Sequence, residues 1–253
     1  MEFEFYYYVI FLATGCLAGF VDSIAGGGGI ITVPVLMASG MPVHVALATN
    51  KLQSSFGSFT ASVNFIKKGL VSIKEVYLGI IFTFIGALIG TKLILLLDAK
   101  ILNKIIPFML ILIFLYTLFN PKFGRIDKKN RFSLPVFFLI FGLLIGFYDG
   151  FFGPGTGTFW TIALVTLMGL NLKKATATTK LMNFTSNIVS LGVFLFSGNV
   201  LFFIGILMGI GQITGALVGS NMVVKRDVSF IREFFLFVVG ATILKLLYDT
   251  YVR

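Results

Sequence analysis

Long apolar segments separated by short polar stretches run along almost the whole chain. Runs such as residues 76–97 and 134–147 contain almost no charged side chains. The pattern predicts ten helical segments in two sets of five, with a basic stretch over 120–133 between the sets. The expected segments are 5–24, 29–41, 44–66, 72–97 and 102–119 in the first set, and 134–152, 156–170, 174–197, 200–224 and 230–250 in the second.

Composition identifies the class of protein. Of the 253 residues, 57% are hydrophobic and 12% are charged, and the mean hydropathy is +1.00. A soluble domain of this size needs more polar surface, and the alternation expected of transmembrane barrel strands is missing. The sequence therefore predicts an all-α polytopic membrane protein. Its first apolar run follows Glu2 and Glu4 instead of basic residues, so we expect a retained membrane segment rather than a cleaved signal peptide.

The second segment of each set is short. A helix of about 13 residues is about 20 Å long at 1.5 Å per residue, whereas the hydrocarbon core of a bilayer is about 30 Å thick. Such a segment either re-enters the membrane from one side or crosses a region lined by protein. The first alternative gives eight spans and the second gives ten.

Three stretches of the first half of the chain recur in the second half. The matching pairs are "GFVDSIAGGGG" (19–29) with "GFYDGFFGPGT" (146–156), "ALATNKL" (46–52) with "ATATTKL" (175–181), and "GALIGTKL" (86–93) with "GALVGSNM" (215–222). These matches divide the chain into a first repeat over 1–119, a linker over 120–133 and a second repeat over 134–253. Each repeat contains one set of five segments.

The basic residues distinguish the two topologies. The net charge of +10 would suggest a nucleic-acid partner in a soluble chain, but here the charges cluster between apolar runs, as the positive-inside rule describes. If every segment crosses, the repeats are inverted and 13 basic residues lie inside against four outside, whereas re-entrant segments give 9 against 8. We therefore expect inverted repeats, a cytoplasmic linker and both termini outside. The inside residues are Lys67, Lys68, Lys74, Lys122, Arg125, Lys128, Lys129, Arg131, Lys173, Lys174, Lys225, Arg226 and Arg232, and the outside residues are Lys92, Lys100, Lys104 and Arg253.

Glycine-rich stretches interrupt the apolar sequence at matching places in the two repeats. Inverted repeats are typical of secondary transporters, whose sites lie near the midplane where broken helices meet. A glycine break exposes backbone N–H groups, and the helix that follows adds a partial positive charge, so an anion would be stabilised there. Tight helix packing is the alternative, and it is the preferred interpretation of "GALIG" (86–90) and "GALVG" (215–219). The residues expected at an anion site are Gly26, Gly27, Gly28, Gly29, Gly153, Gly155, Thr156 and Gly157.

One lysine lies inside the third segment of each repeat. An ammonium group at membrane depth costs at least about 2.5–3.5 kcal/mol, so it usually faces a cavity or a counter-charge. We expect Lys51 and Lys180 to bind an anion together with the glycine amides, and the alternative is that both side chains extend to the lipid headgroups. Hydroxyl and amide groups at helical spacing would assist them. These are Thr49, Asn50, Gln53, Ser54, Thr178, Thr179, Asn183 and Asn187.

An aspartate precedes each glycine break. Asp22 and Asp149 could each carry a proton, bind a cation or act as the counter-ion of a lysine. An ordinary cap that satisfies backbone donors of the next helix is the alternative. If one of them carries a proton, replacing it with asparagine should remove the pH dependence of transport and leave anion binding intact.

Little catalytic or cofactor chemistry is expected. Cys16 is the one cysteine and His44 is the one histidine, so neither an internal disulfide nor a zinc site is predicted. No metal or cofactor is expected, and the absence of a carboxylate cluster makes a membrane-embedded enzyme a poor interpretation. Trp160 and the many phenylalanines are expected to pack in the core or to face lipid.

Three of these stretches resemble the TauE/SafE sulfite-exporter family, also called the TSUP transporters. The resemblance rests on "GFVDSIAGGGGIITVP", "ALATNKLQSSFGSFTA" and "GPGTGTFW…ATATTKLMNFTSN", and the duplicated plan covers essentially the whole chain. It implies a carrier in the plasma membrane of a prokaryote for small sulfur-containing anions, such as sulfite, sulfonates or sulfoacetate-like carboxylates, usually in the direction of export. Thr179 and Met182 replace Asn50 and Gln53 in the second repeat, so the two repeats need not contribute equally.

We therefore expect a secondary transporter in which one repeat rocks against the other around a central site. An ion gradient or the substrate gradient itself would drive transport, because no nucleotide-binding motif is present. An anion channel with a continuous polar pore is the alternative. The expected partners are a small anion, the lipid bilayer and, as a further option, a second copy of the chain in a homodimer.

Overall fold

The structure is a computed structural model, and it describes residues 3–97, 133–226, 230 and 233. Within these ranges the chain forms eight long or short helices and no strand. One of them includes a π-helical segment at Phe138–Gly142. The helices are α1 (Phe5–Ala25), α2 (Gly28–Ala38), α3 (Val43–Lys67), α4 (Ile73–Leu96), α5 (Leu134–Phe151), α6 (Thr156–Thr166), α7 (Leu172–Phe196) and α8 (Phe202–Lys225).

Eight of the ten predicted segments are confirmed, with ends that differ by a few residues. The fifth segment of each set and the linker fall outside the described residues, apart from residues 133, 230 and 233. Helices α1, α4, α5 and α8 are long and apolar enough to cross a membrane. This confirms the helical membrane class. Helices α3 and α7 have 25 residues each but carry many buried polar side chains, so they form the centre of the molecule.

The short segments α2 and α6 contain 11 residues each, which corresponds to about 16 Å of helix. Each starts directly after a break in the chain. The residue that precedes α2, Gly27, has φ 94°, and the residue that precedes α6, Gly155, has φ 86°. Glycine is favoured at these two positions because a side chain with a Cβ atom is strained in the left-handed region.

Helix α1 of the first repeat packs directly on α8 of the second repeat. Gly15 contacts the backbone of Met208, and a Cβ atom on Gly219 would lie 2.6 Å from the carbonyl oxygen of Phe20. These helices are therefore in backbone contact at both ends of their interface, which confirms the packing role predicted for residues 215–219. Because residue numbers rise together along the interface, α1 and α8 run in the same direction.

Helix α4 packs on α5 in the same way. A Cβ atom on Gly86 would lie 2.7 Å from Phe147 N, and one on Gly90 would lie 2.8 Å from Phe151 N. The packing role predicted for residues 86–90 is therefore confirmed as well. Residue numbers again rise together, so α4 and α5 are parallel.

Each central helix runs parallel to one of these two helix pairs. Helix α3 is parallel to α8. Leu52 contacts Gly205, and Asn64 Nδ2 donates to Ser220 Oγ at 2.8 Å in a second contact, which lies twelve residues further along α3 and fifteen further along α8. On the other side of the molecule, α7 is parallel to α4. Its Met182 lies next to Thr83, and its Ser190 Oγ is 2.8 Å from Thr91 Oγ1.

The two groups of parallel helices point in opposite directions. His44 at the start of α3 contacts the carbonyl oxygen of Ile94 near the end of α4 at 3.2 Å, so α3 and α4 are antiparallel. Helices α1, α3 and α8 thus run one way, and α4, α5 and α7 run the other. Since α1 and α3 have the same direction, the short α2 returns the chain between them, and α6 does the same between α5 and α7.

Candidate functional site

The two helix breaks meet at the centre of the molecule. A Cβ atom on Gly26 would lie 2.5 Å from the carbonyl carbon of Gly157 and 2.6 Å from Thr158 N. On the other side of this contact, a Cβ atom on Gly29 would lie 3.3 Å from Pro154 Cα. Backbone therefore touches backbone, which explains why glycine occupies both breaks.

A cavity of about 30 Å³ lies between the breaks. That volume has room for about two water molecules. Every residue that lines the cavity belongs to the set expected from the sequence. The lining residues are Asp22, Gly27, Gly29, Asn50, Lys51, Ser54, Asp149, Gly153, Thr156, Gly157, Asn183 and Asn187.

Lys51 forms an enclosed ion pair with Asp149 of the other repeat. Its Nζ donates to Asp149 Oδ1 at 2.5 Å, to the main-chain oxygen of Asp149 at 2.6 Å and to Asn187 Oδ1 at 3.3 Å. The second carboxylate oxygen of Asp149 accepts a hydrogen bond from Ser186 Oγ. The side chains of Lys51 and Asp149 are only 2% and 4% exposed. All hydrogen-bonding groups of the pair thus have partners inside the protein.

Lys180 forms the equivalent ion pair with Asp22. Its Nζ donates to Asp22 Oδ2 at 2.8 Å, and Gly28 N at the start of α2 donates to Asp22 Oδ1 at 3.1 Å. The Lys180 side chain is fully buried, whereas that of Asp22 is 19% exposed. Asp22 therefore has two of the roles that the sequence left open, because it is the counter-ion of a lysine and also binds a backbone donor of the next helix.

Neither lysine extends to the lipid headgroups, so that alternative is wrong for both. Each ammonium group instead meets a carboxylate from the opposite repeat. Lys51 lines the cavity, whereas Lys180 does not. The two ion pairs together contribute two formal positive and two formal negative charges to the centre of the molecule, so the site is neutral overall.

Around Asn50, the first repeat builds a connected polar network. Asn50 Oδ1 accepts from Thr32 Oγ1 at 2.6 Å and from Gln53 Nε2 at 2.7 Å. Gln53 Oε1 in turn accepts from Gln212 Nε2 on α8 at 2.6 Å. Because the oxygen of Asn50 is occupied, its amide nitrogen is the group that remains beside Gly29 at the cavity.

The second repeat is less polar at the equivalent positions. Thr161 and Thr179 share one hydrogen bond at 3.1 Å, and Met182 stands where the first repeat has Gln53. Asn183 lines the cavity and is 5% exposed, and its Oδ1 is buried without a hydrogen-bond partner. A buried amide that lacks a partner is uncommon. The Oδ1 atom of Asn183 is therefore available to water or to a ligand that carries a hydrogen-bond donor, and its Nδ2 is the group that could donate to an anion.

Several expected site residues have structural contacts outside the cavity. Thr49 Oγ1 accepts from Leu201 N at 3.1 Å, and Thr178 is buried away from the cavity. Gly155 precedes α6, and Gly26 and Gly28 form the break before and at the start of α2. The cavity lining therefore excludes eight of the expected residues, which are Gly26, Gly28, Thr49, Gln53, Gly155, Thr178, Thr179 and Lys180.

Three contributors were missed by sequence reasoning. Ser186 contacts Asp149, Thr32 contacts Asn50, and Gln212 contacts Gln53. Thr32 had a usable signal in the repeat, because Thr161 is its equivalent in the second repeat and Thr179 is the equivalent of Asn50. Ser186 had none, since Gly57 is its equivalent. Among the described residues, no group of three or more His, Cys, Asp or Glu side chains could hold a metal ion.

Comparison with known proteins gives consistent results over nearly the whole chain. The family model described as "Sulfite exporter TauE/SafE" matches residues 11–246. The chain is 47% identical over 236 residues to the "Probable membrane transporter protein YfcA" of Escherichia coli K12, covering 93% of this chain and 87% of that protein. It is 44% identical over 240 residues to a "Probable membrane transporter protein" of Haemophilus influenzae, covering 95% of this chain and 94% of that protein.

A relative from Sinorhizobium, "Probable membrane transporter protein ORF9", is 42% identical over 248 residues and is covered over 95% of its length. The resemblance seen in the glycine and lysine motifs is thereby confirmed. Because the family model and these relatives match almost end to end, the chain belongs to the TauE/SafE sulfite exporter family and is a membrane transporter.

Proposed function

We propose that the protein is a secondary transporter of small sulfur-containing anions, such as sulfite and sulfonates, in the plasma membrane of a prokaryote. The observation that carries the proposal is the cavity between the helix breaks, where lysine, asparagine and backbone groups face one another. Such donors suit the oxygen atoms of a small anion in a dry site. The name of the matching family model supports the substrate class.

Helix direction supports an inverted pair of five-segment repeats. Helices α1 and α3 point opposite to α5 and α7, which are their equivalents in the second repeat. Helices α2 and α6 would then be crossing segments, surrounded by protein where they are too short for the bilayer. This topology places 13 basic residues on the linker side of the membrane and four on the opposite side, as the positive-inside rule expects.

The bodies that move during transport would differ from the two sequence repeats. Backbone contacts at glycines join α1 to α8 and α4 to α5, and each contact connects the two repeats. Rocking one repeat against the other would break both interfaces. We expect one body to contain α1, α3 and α8, and the other to contain α4, α5 and α7.

A transporter is favoured over a channel because of the size of the cavity and what surrounds it. The cavity of about 30 Å³ has less room than a sulfonate with its organic group needs. Two ion pairs cross from one body to the other at this level, Lys51 with Asp149 and Lys180 with Asp22. An anion could therefore pass only if the bodies move apart.

Ligand stabilisation of the purified protein tests the substrate class. The panel is sulfite, methanesulfonate, isethionate and sulfoacetate, with chloride as the reference anion. A ligand at 100 times its Kd stabilises the folded state by about 2.7 kcal/mol, so a substrate should raise the thermal midpoint in a concentration-dependent way. The same anion should show saturable uptake and counterflow in proteoliposomes, as a carrier does.

The matched variants are Lys51→Gln at the cavity and Lys92→Gln on an exposed face of α4. A charge-assisted contact contributes about 1.5–3 kcal/mol, so Lys51→Gln should weaken affinity by about ten-fold to over a hundred-fold. Lys92→Gln should leave affinity unchanged. The proposal is wrong if no anion of the panel stabilises or crosses the membrane, and uptake that never saturates would favour a channel.

A further inference from the structure

The centre of the molecule is already electrically balanced before any anion enters. Lys51 and Lys180 each contact one carboxylate, and the cavity lies beside the Lys51–Asp149 pair. A monoanion added to this site would leave one uncompensated negative charge in a buried space. An uncompensated buried charge is strongly unfavourable. Anion binding therefore requires one positive charge to enter the site together with the anion.

The two lysines are not equally available to an anion. Lys51 lines the cavity, and Gly153 of the second break lies so near that a Cβ atom there would be 2.9 Å from Lys51 Nζ. Lys180 does not line the cavity, and its Asp22 partner also holds Gly28 N at the start of α2. An anion in the cavity would thus meet Lys51 and would leave the Lys180–Asp22 pair intact.

We infer that the protein cotransports one proton with each monoanion, with Lys51 binding the anion and Asp149 carrying the proton. The inference rests on the proposed transport of sulfur-containing anions. When the anion takes over Lys51 Nζ, Asp149 loses its counter-ion in a place where its side chain is only 4% exposed. A carboxylate isolated in this way takes up a proton from bulk water. The site then holds two ammonium groups, one carboxylate, one carboxylic acid and one monoanion, so it remains neutral.

The surroundings of Asp149 single it out as the proton carrier. The other titratable groups at the cavity, among the described residues, are Lys51 from α3 and Asp22 from α1, and Asp22 is paired with Lys180 from α7. Tyr148, the residue before Asp149, donates its hydroxyl to Pro154 O at 2.7 Å. The remaining contacts of Asp149 and its neighbour Gly150 are neutral. They come from Ser186 on α7 and Thr91 on α4, whereas Asn187 on α7 accepts from Lys51 Nζ.

Asp22 has a different environment and keeps its charge in this cycle. Lys180 remains beside it, Gly28 N donates to it, and its side chain is 19% exposed. We therefore treat Lys180 and Asp22 as a positioning pair that holds the start of α2 against α7. Replacing Asp22 should reduce stability and rate but should not remove proton coupling.

The test uses the full chain in proteoliposomes with methanesulfonate or isethionate, whichever monoanion stabilises the protein more. A sulfonate is chosen because it keeps its charge at every pH used, so any proton must travel on the protein. With the membrane potential clamped at zero, an inward proton gradient should drive accumulation of up to about ten-fold per pH unit. Uptake should acidify the lumen and should not respond to an imposed potential.

Two pseudo-equivalent variants locate the proton. Asp149→Asn should bind the sulfonate and exchange it across the membrane, yet lose proton-driven accumulation completely. Asp22→Asn should keep accumulation at a reduced rate. Exchange without accumulation is a property that a misfolded or merely destabilised protein would not show.

Three results would overturn the inference. They are a flux of the unmodified protein that changes with membrane potential, proton-driven accumulation that persists in Asp149→Asn, and loss of coupling in Asp22→Asn alone. In each case the sulfonate still crosses the membrane, so the proposed function survives. If no anion binds or crosses at all, the proposed function fails first.

Discussion

The two ion pairs between the repeats consist of the same residue types, a lysine and an aspartate, but they have different surroundings. Both join a lysine of a central helix to an aspartate just before a glycine break. Lys51 and Asp149 sit among Ser186, Asn187 and the main chain, with their side chains at most 4% exposed. Asp22 of the other pair is 19% exposed and holds the first turn of α2.

This difference shows how a duplicated plan can become asymmetric at one site. The charged residues are the same in both repeats, so the basic arrangement is preserved. Their neutral neighbours have diverged, since Ser186 corresponds to Gly57 and Asn183 corresponds to Ser54. In the proposed cycle, one lysine exchanges its carboxylate for a ligand while the other pair stays intact.

The largest expected effect comes from breaking the enclosed pair. Lys51→Met leaves Asp149 buried with Ser186 as its remaining side-chain donor, which should lower the free energy of unfolding by about 3–5 kcal/mol. Lys180→Met should lower it by less, because Asp22 keeps the Gly28 N–H group and partial access to water. Denaturant titration in detergent micelles measures both. Equal losses would remove the distinction between the two pairs.

The two glycine breaks offer a second comparison. Gly26→Ala places a Cβ atom in the left-handed region, which costs about 1–2 kcal/mol, and its contact with the Gly157 backbone adds an overpacking cost of about 1–3 kcal/mol. Gly153→Ala should cost a similar amount, because its φ is 96° and its Cβ atom would press on Lys51 Nζ and Asp149 Oδ1 of the enclosed ion pair. Gly40→Ala is the control, with φ 89° and open space around it. If it destabilises as much as Gly26→Ala, the contact between breaks is unimportant.

The polar network of the first repeat can be converted to that of the second. Gln53→Met leaves the buried Gln212 amide without its partner and should cost about 1–3 kcal/mol of stability. The double variant Gln53→Met with Gln212→Thr reproduces the Met182–Thr83 contact of the second repeat. Much of the loss should be recovered in a thermal unfolding measurement. A double variant no better than the single one would contradict this equivalence.

The smallest effect on stability is expected at Asn183. Asn183→Ser copies Ser54 of the first repeat and should change the free energy of unfolding by no more than about 0.5 kcal/mol, because the Oδ1 atom has no partner to lose. Anion affinity should fall about two- to ten-fold, as expected if Asn183 Nδ2 donates one neutral hydrogen bond of about 0.5–1.5 kcal/mol to the anion. Titration of the folded variant measures both values. Unchanged affinity would exclude Asn183 from the binding site.

Hydropathy was sufficient to locate the eight described helices. Charged groups inside apolar runs were also conspicuous, which is why Lys51, Lys180, Asp22 and Asp149 could be chosen from the sequence. The sequence repeat showed that they are equivalent in pairs. It could not show which aspartate contacts which lysine, because that depends on how the two repeats pack.

The residues that were missed have weak sequence signals. Ser186 is a hydroxyl residue in a helix already rich in serine and threonine, and Gln212 lies in an apolar helix next to the glycine stretch interpreted as packing. Their importance comes from contacts with Asp149 and Gln53, residues far away in sequence. The orientation of α1 relative to α3 also depends on tertiary contacts and not on local pattern.

The glycine contacts have a consequence for the origin of the fold. Helix α1 packs on α8 and α4 packs on α5, so among the described residues the glycine faces of each repeat are covered by a helix of the other repeat. A chain with one repeat could cover these faces only by associating with a second copy inserted in the opposite orientation. If the proposed inverted topology holds, the protein is built like two such subunits joined in one chain, and the linker fixes the opposed orientations that separate chains would have to reach by dual insertion.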